Sequence, residues 1–206
     1  MSITTHAQLV TAVSNWLKRD DLSGYITDFI TLAEAKMSRE FIVMEPPLRA
    51  LEQTATDTIS TETLALPTGY LGIKRLSLTI GGRDRVLEYK SDLQSSFYDH
   101  EEQPVYYTTR GGNIVFAPKP GGSFDYELVY YKKLDALSDG SNWTIENAPD
   151  LYLYGALLQA APFIKDDKRL PVWASFYSGI LTGIEQANRK DRTSGSTLAI
   201  RSRNAV

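Results

Sequence analysis

The chain contains no cysteine. Disulfides, thiolate metal sites and thiol nucleophiles are thereby excluded, and the composition suits assembly in a reducing cytoplasm. Histidine is nearly as scarce. Only His6 and His100 are present, and neither has a second ligand at the i+4 spacing of a helical metal pair; both are expected to face solvent. Long apolar runs are missing too. No stretch approaches the ~18 residues of a membrane span, and the opening MSITTHAQLVTAVSNWLKRDD lacks the basic segment and apolar core of a signal peptide. Neither sign of charge dominates, with 22 Lys and Arg against 25 Asp and Glu and a net charge of −3. A free nucleic-acid binder is usually basic, so DNA or RNA is not the expected partner.

Catalytic signatures are also wanting. No Gly-x-Ser-x-Gly elbow occurs, and Ser95-Ser96 near His100 is proximity in sequence alone. The glycine pairs at 81, 111 and 121 lack the Gly-Lys-Ser/Thr ending of a phosphate loop. Asp20-Asp21, Glu101-Glu102 and Asp166-Asp167 are adjacent carboxylates in polar turns. Glycosidase chemistry instead needs two carboxyls facing across a cleft, about 5–10 Å apart. Asn142-Trp143-Thr144 matches a glycosylation pattern, which is read as chance. No catalytic, cofactor-binding or metal-binding residue is assigned, and the chain is expected not to be an enzyme.

What is present is a normal globular balance, 42% hydrophobic and 23% charged. Leu9, Val10, Val13, Trp16 and Leu17 recur at helical spacing behind Thr4 or Thr5 as cap. Lys18 to Gly24 reads as a turn. A second helix over 25–41 aligns Ile26, Phe29, Ile30, Ala33, Met37 and Phe41, and Pro46-Pro47 ends it. From Leu48 to about Ser138 the pattern changes to alternation. Leu76, Leu78 and Ile80 precede Gly81-Gly82; Val105, Tyr107 and Thr109 precede Gly111-Gly112; Tyr126, Leu128 and Tyr130 follow Gly121-Gly122. Paired glycines suit tight hairpins because glycine reaches positive φ at little steric cost. A short helix is expected over 91–100. The chain has 12 Tyr, 7 Phe and 3 Trp. Tyr106-Tyr107 and Tyr130-Tyr131 must point to opposite faces of a strand, which fits either a doubly covered sheet or an interface.

Helical spacing returns at Asn147, expected as a cap before Pro149 and Asp150, with Leu153, Ala156, Leu157, Ala160, Ala161 and Ile164 as its stripe. After the turn 166–169, Pro171 opens a last helix with Trp173, Phe176, Tyr177, Ile180, Ile184 and Ala187 on one face. Residues 193–206 are polar, with scattered apolar side chains, and are too weak to fold alone. From Arg189 onward five basic side chains stand against Asp191. Leu198 and Ile200 alternate, as do Arg201 and Arg203, so an extended chain presents each pair on one face. The reading is a partner-binding arm.

The resulting expectation is an α+β fold, a helical bundle formed by both chain ends with an inserted antiparallel β region. Its parts are 1–46 and 147–192 (bundle), 47–146 (β insertion) and 193–206 (extended arm).

Three segments resemble phage head-to-tail adaptors of the podophage type: NAPDLYLYGALLQAAPFIKDD (147–167) followed by Trp173 and Tyr177, FITLAEAKMSRE (29–40) and LPTGYLGIKRL (66–76). Together they extend the likeness over roughly 1–190. The resemblance implies a virion protein of the neck, assembled in the host cytoplasm as a homo-oligomeric ring, commonly twelvefold, beneath the portal. It implies the portal protein and tail nozzle or fibre proteins as partners, with genomic DNA passing through unbound and no membrane involved. Leu198, Ile200, Arg201 and Arg203 then become the candidate portal-binding residues. Other readings are a neck stopper or head-completion protein, a tail-fibre or baseplate component, and a tail-associated cell-wall hydrolase.

Overall fold

The computed structural model describes residues 3–92, 101–164 and 167–194. It is a mixed α+β chain that divides into two compact units, Met1–Arg49 with Asp135–Val206, and Ala50–Leu134.

Helix α1 spans His6–Leu17, and the Thr5 side chain accepts the Gln8 amide at its N-terminus. It ends at Lys18, which adopts a left-handed φ of 51° and returns its N–H to Ser14. The expected turn is instead a 3₁₀ segment, Asp20–Tyr25, running directly into α2 (Ile26–Val43). The six residues aligned by sequence on α2 are its buried face.

The re-entry differs from expectation. Asn142, not Asn147, is the cap. Its side chain accepts the Thr144 and Ile145 amides and starts a short helix, α3 (Trp143–Asn147). Asn147 closes that helix and donates to the Trp143 carbonyl. Helix α4 (Pro149–Gln159) then begins with proline in its first turn and Asp150 at the positive end of its dipole. It stops at Gln159 because Pro162 supplies no amide hydrogen, and a 3₁₀ turn covers Ala161–Phe163. The last helix, α5 (Leu170–Thr193), buries Trp173, Tyr177 and Asn188. Phe176 and Ala187, expected on the buried face, are exposed. Helix α4 packs against α1, α2 and α5. Gly155 makes that approach possible, since a Cβ there would stand 3.3 Å from both Ala33 Cβ and Tyr177 Cε2.

In the unit Ala50–Leu134 the strands are β1 (Glu52–Ile59), β2 (Thr63–Ala65), β3 (Tyr70–Ile80), β4 (Arg83–Val86), β5 (Glu88–Tyr89), β6 (Glu101–Glu102), β7 (Tyr106–Arg110), β8 (Asn113–Ala117), β9 (Lys119–Pro120) and β10 (Phe124–Lys132). One four-stranded sheet has the order β1-β10-β3-β4 and a second the order β2-β8-β7-β5. Neighbours are antiparallel apart from the short β5–β7 and β6–β9 pairs. Gly81-Gly82 and Gly111-Gly112 make the β3–β4 and β7–β8 hairpins, all four at positive φ. The alternating residues meet in one core. Leu76, Leu78, Leu128 and Tyr130 come from the first sheet, and Tyr107, Ile114 and Phe116 from the second. Of the tyrosine pairs, Tyr107 and Tyr130 belong to this core, so part of the aromatic content is a sandwich interior.

Most of the expected 91–100 helix, with Ser95, Ser96 and His100, lies outside the described residues, as does Asp166.

Candidate interaction surfaces

Polar side chains in this chain are placed where the backbone leaves and re-enters the unit formed by Met1–Arg49 and Asp135–Val206. At the exit, Pro46-Pro47 leaves carbonyls that no helix can satisfy. Asn188 on α5 meets this need. Its Nδ2 donates to the Pro46 carbonyl (2.8 Å), and its Oδ1 accepts the Arg49 amide (3.0 Å). Arg189 donates to the Glu45 carbonyl and Arg192 to that of Pro47, while Arg49 pairs with Asp191 at 2.9 Å. One turn of α5 thus clamps the elbow. An open cleft beside it is lined by Glu45, Pro46, Arg189, Arg192 and Thr193.

At the re-entry, Glu34 of α2 accepts the Leu137 amide (2.8 Å) and the Tyr152 hydroxyl (3.1 Å). Asn142 Nδ2 donates to the Asp135 carbonyl (2.8 Å) and to the Tyr152 oxygen (2.6 Å). Burial is the main reason the Tyr152 hydroxyl is held far above the usual tyrosine value, and Glu34 reinforces it. Asn142 is 7% exposed and its amide nitrogen is engaged, so the glycosylation pattern is a structural cap. A similar buried pair joins α5 to α2, where Tyr177 donates to the Glu40 carboxylate and Lys36 lies over the Tyr177 ring. Burial first, then Glu40, raises the Tyr177 hydroxyl well above its ordinary value.

A different kind of surface covers the start of α5. Val172 and Phe176, one turn apart, are 50% and 49% exposed, and Trp16 of α1 is 42% exposed. Trp16 stands edge-on to Tyr154 at 5.8 Å, and Tyr154 contacts Phe176 at 5.2 Å. Arg169 fastens the two helices by donating to the Trp16 carbonyl (2.9 Å) and lying over Trp173. It also holds the Asp167 carboxyl below the usual carboxylate range. Half-exposed clustered aromatics are typical of interface centres.

Asp21 is engaged by Arg19, Asp167 by Arg169, and Glu101–Glu102 form a strand edge beside Lys119–Pro120. His6 is a half-buried residue in the first turn of α1. Among the described residues, no group of three His, Asp or Glu side chains is placed to hold a metal ion, and no helix is long and apolar enough to cross a membrane. Leu198, Ile200, Arg201 and Arg203 lie outside the described residues. Sequence reasoning missed Asn188, Asn142 and Glu34. Asn188 had left a trace, since it falls four residues after Ile184 on the inward stripe of α5.

Fold and sites define a building block, a sheet unit with a shared apolar core and a helical unit whose buried polar groups hold its own backbone and whose surface displays clustered aromatics. The chain belongs to the SU10 adaptor protein family, a family of phage head-to-tail adaptors, whose model matches residues 4–201. No curated protein matches it.

Proposed function

We propose that this protein is a structural, non-enzymatic component of a phage neck that forms a ring beneath the portal, extends the DNA channel and docks the tail nozzle or fibres. The observation that carries this reading is the adaptor-family match across residues 4–201. In this proposal the helices from both chain ends form one bundle that faces the portal and neighbouring copies, and the sheet unit faces the tail. The ring is twelvefold, assembles in the host cytoplasm, and joins its copies through heterologous contacts that close on themselves. The half-exposed aromatics Trp16 and Phe176 support a contact role for the helical side.

The portal-binding arm, expected over 193–206, is proposed for the chain beyond Ser194, because α5 runs through Thr193 and ends on Ser194. Leu198 and Ile200 enter adjacent apolar pockets, and Arg201 and Arg203 pair with carboxylates through two hydrogen bonds each. Ordering such a segment costs entropy, which a few anchors per copy and repetition around a ring offset. Because α5 runs to Thr193, a truncation after Ser194 leaves every described element intact. The expected result is unchanged helix content with loss of binding to purified portal complexes. Full binding by the truncated chain would overturn the role of the arm.

A further inference from the structure

The sheet β1-β10-β3-β4 has two edges among the described residues, β1 and β4. An edge strand presents a row of backbone donors and acceptors, and proteins usually blunt it with proline, lysine, a bulge or brevity. Strand β1 has no proline, lysine or bulge and is not short; its edge charges are Glu52 and the core-side Asp57. It runs eight residues, EQTATDTI, in unbroken register against β10. Its outer row can be identified. The Thr58 amide is taken by Asp57 Oδ1 at 2.8 Å rather than by the ladder, so alternation puts the Thr54 and Thr56 amides on the outer edge. At the other edge the Leu87 amide donates inward to Leu76 at 2.8 Å. The outward amides of β4 are therefore those of Asp84 and Val86, and Val86 is 63% exposed.

We infer that β1 of one copy pairs with β4 of the next, continuing the sheet from protomer to protomer. Two observations select a second copy. The first is direction. All three pairings in the sheet are antiparallel, and the strand number is even, so β4 runs opposite to β1. A copy carried round an axis without inversion brings its β1 antiparallel to that β4, which is the geometry of a heterologous ring contact. The second is charge. Asp57 shares the core-side face of β1 with Ala55 and Ile59, opposite Tyr126. Arg83 and Arg85 pair with Ile80 and Leu78 across the hairpin and share their face. Joining the edges sets a carboxylate beside guanidiniums on one face, a favourable cross-strand arrangement, whereas β4 against β4 sets arginine against arginine. This inference rests on the ring reading and names its contact, but its test contains no portal, so it can fail while the adaptor assignment stands.

The absence of cysteine gives a clean background for the test. The full chain carrying Thr56→Cys and Asp84→Cys is oxidised gently at high concentration, with Thr54→Cys and Asp84→Cys covering the neighbouring register. The two positions lie on opposite edges of one sheet, so a bond between them joins two copies. The expected result is a ladder of dimers, trimers and larger species from a double variant, and none from Thr56→Cys or Asp84→Cys alone. Thr54→Pro, added to the Thr56→Cys, Asp84→Cys chain, removes one outward amide at a position where an edge strand tolerates proline. It should lower ladder yield about tenfold, with circular dichroism unchanged. Dimers from Thr56→Cys alone would mean β1 pairs with itself and would overturn the inference. Monomer throughout, in both registers, would overturn it as well.

Discussion

In residues 50–134 nearly all order comes from ladders and from a core that two sheets share. In the unit formed by 1–49 and 135–206, helices pack against one another, but the decisive polar contacts lie where the chain passes in and out. Leu76, Leu128 and Phe116 show the first principle, with alternation on a strand delivering side chains to one interior. Asn188, Asn142 and Glu34 show the second, because irregular backbone at a crossing needs partners that no helix provides. A fold with an insertion must solve this problem twice, and here each crossing has its own side-chain latch. The sheet unit should therefore fail through lost volume, and the helical unit through lost hydrogen bonds.

The largest expected effect breaks the sheet side. Phe116 is 2% exposed within the shared core, so Phe116→Ala should remove about 3–5 kcal/mol. Denaturant unfolding followed by near-ultraviolet circular dichroism checks it, with far-ultraviolet helix signal lost only at higher denaturant. A helix signal that falls in step would merge the two units into one cooperative body.

A smaller effect breaks the helical side without touching its apolar packing. Asn142→Ala removes a cap and leaves the Asp135 carbonyl and Tyr152 hydroxyl short of a donor. The expected loss is about 2–3 kcal/mol, read as an earlier helical transition with the sheet transition unmoved. Asn142→Asp, which keeps the cap acceptor but not the donor, should recover part of it.

A slighter effect is expected from pH. Tyr152 and Tyr177 are held neutral past pH 10.0, the ordinary tyrosine value, chiefly by burial. In the unfolded chain both ionise near that value. Their contribution is complete below it and is lost as pH rises, because the unfolded state then holds fewer protons. Tyr70, Tyr107 and Tyr126 in the sheet unit act in the same direction. Stability should therefore fall above about pH 10, and Tyr177→Phe should reduce that slope by about one proton. Urea titrations across that range measure it, and an unchanged slope would remove Tyr177 from the account.

Much of this architecture was legible in the sequence because periodicity reports burial directly. The stripe of α2 and the alternation of Leu76 and Leu78 became buried faces, and Gly81-Gly82 and Gly111-Gly112 became hairpins. Before Gly111 the alternation fails, with Val105 exposed and Thr108 buried beside Tyr107. What periodicity could not report was partnership. Phe176 has the spacing of a core residue on α5, yet it lies half exposed beside Tyr154. Asn147 has the residue type of a cap, yet Asn142 caps the helix by accepting the Thr144 and Ile145 amides, with its own amide held by Asp135 and Tyr152. The Asn188–Arg49 and Glu34–Leu137 latches join residues more than 100 positions apart, so no local pattern announces them.

In the proposed arrangement the helical unit faces the portal and the sheet unit the tail. Lysine cross-linking of intact particles, read by mass spectrometry, tests it most directly, because both units carry lysines. Portal cross-links are expected at Lys18, Lys36, Lys168 and Lys190, and tail-protein cross-links at Lys74, Lys90 and Lys119. Portal cross-links concentrated on Lys74, Lys90 and Lys119 would contradict it.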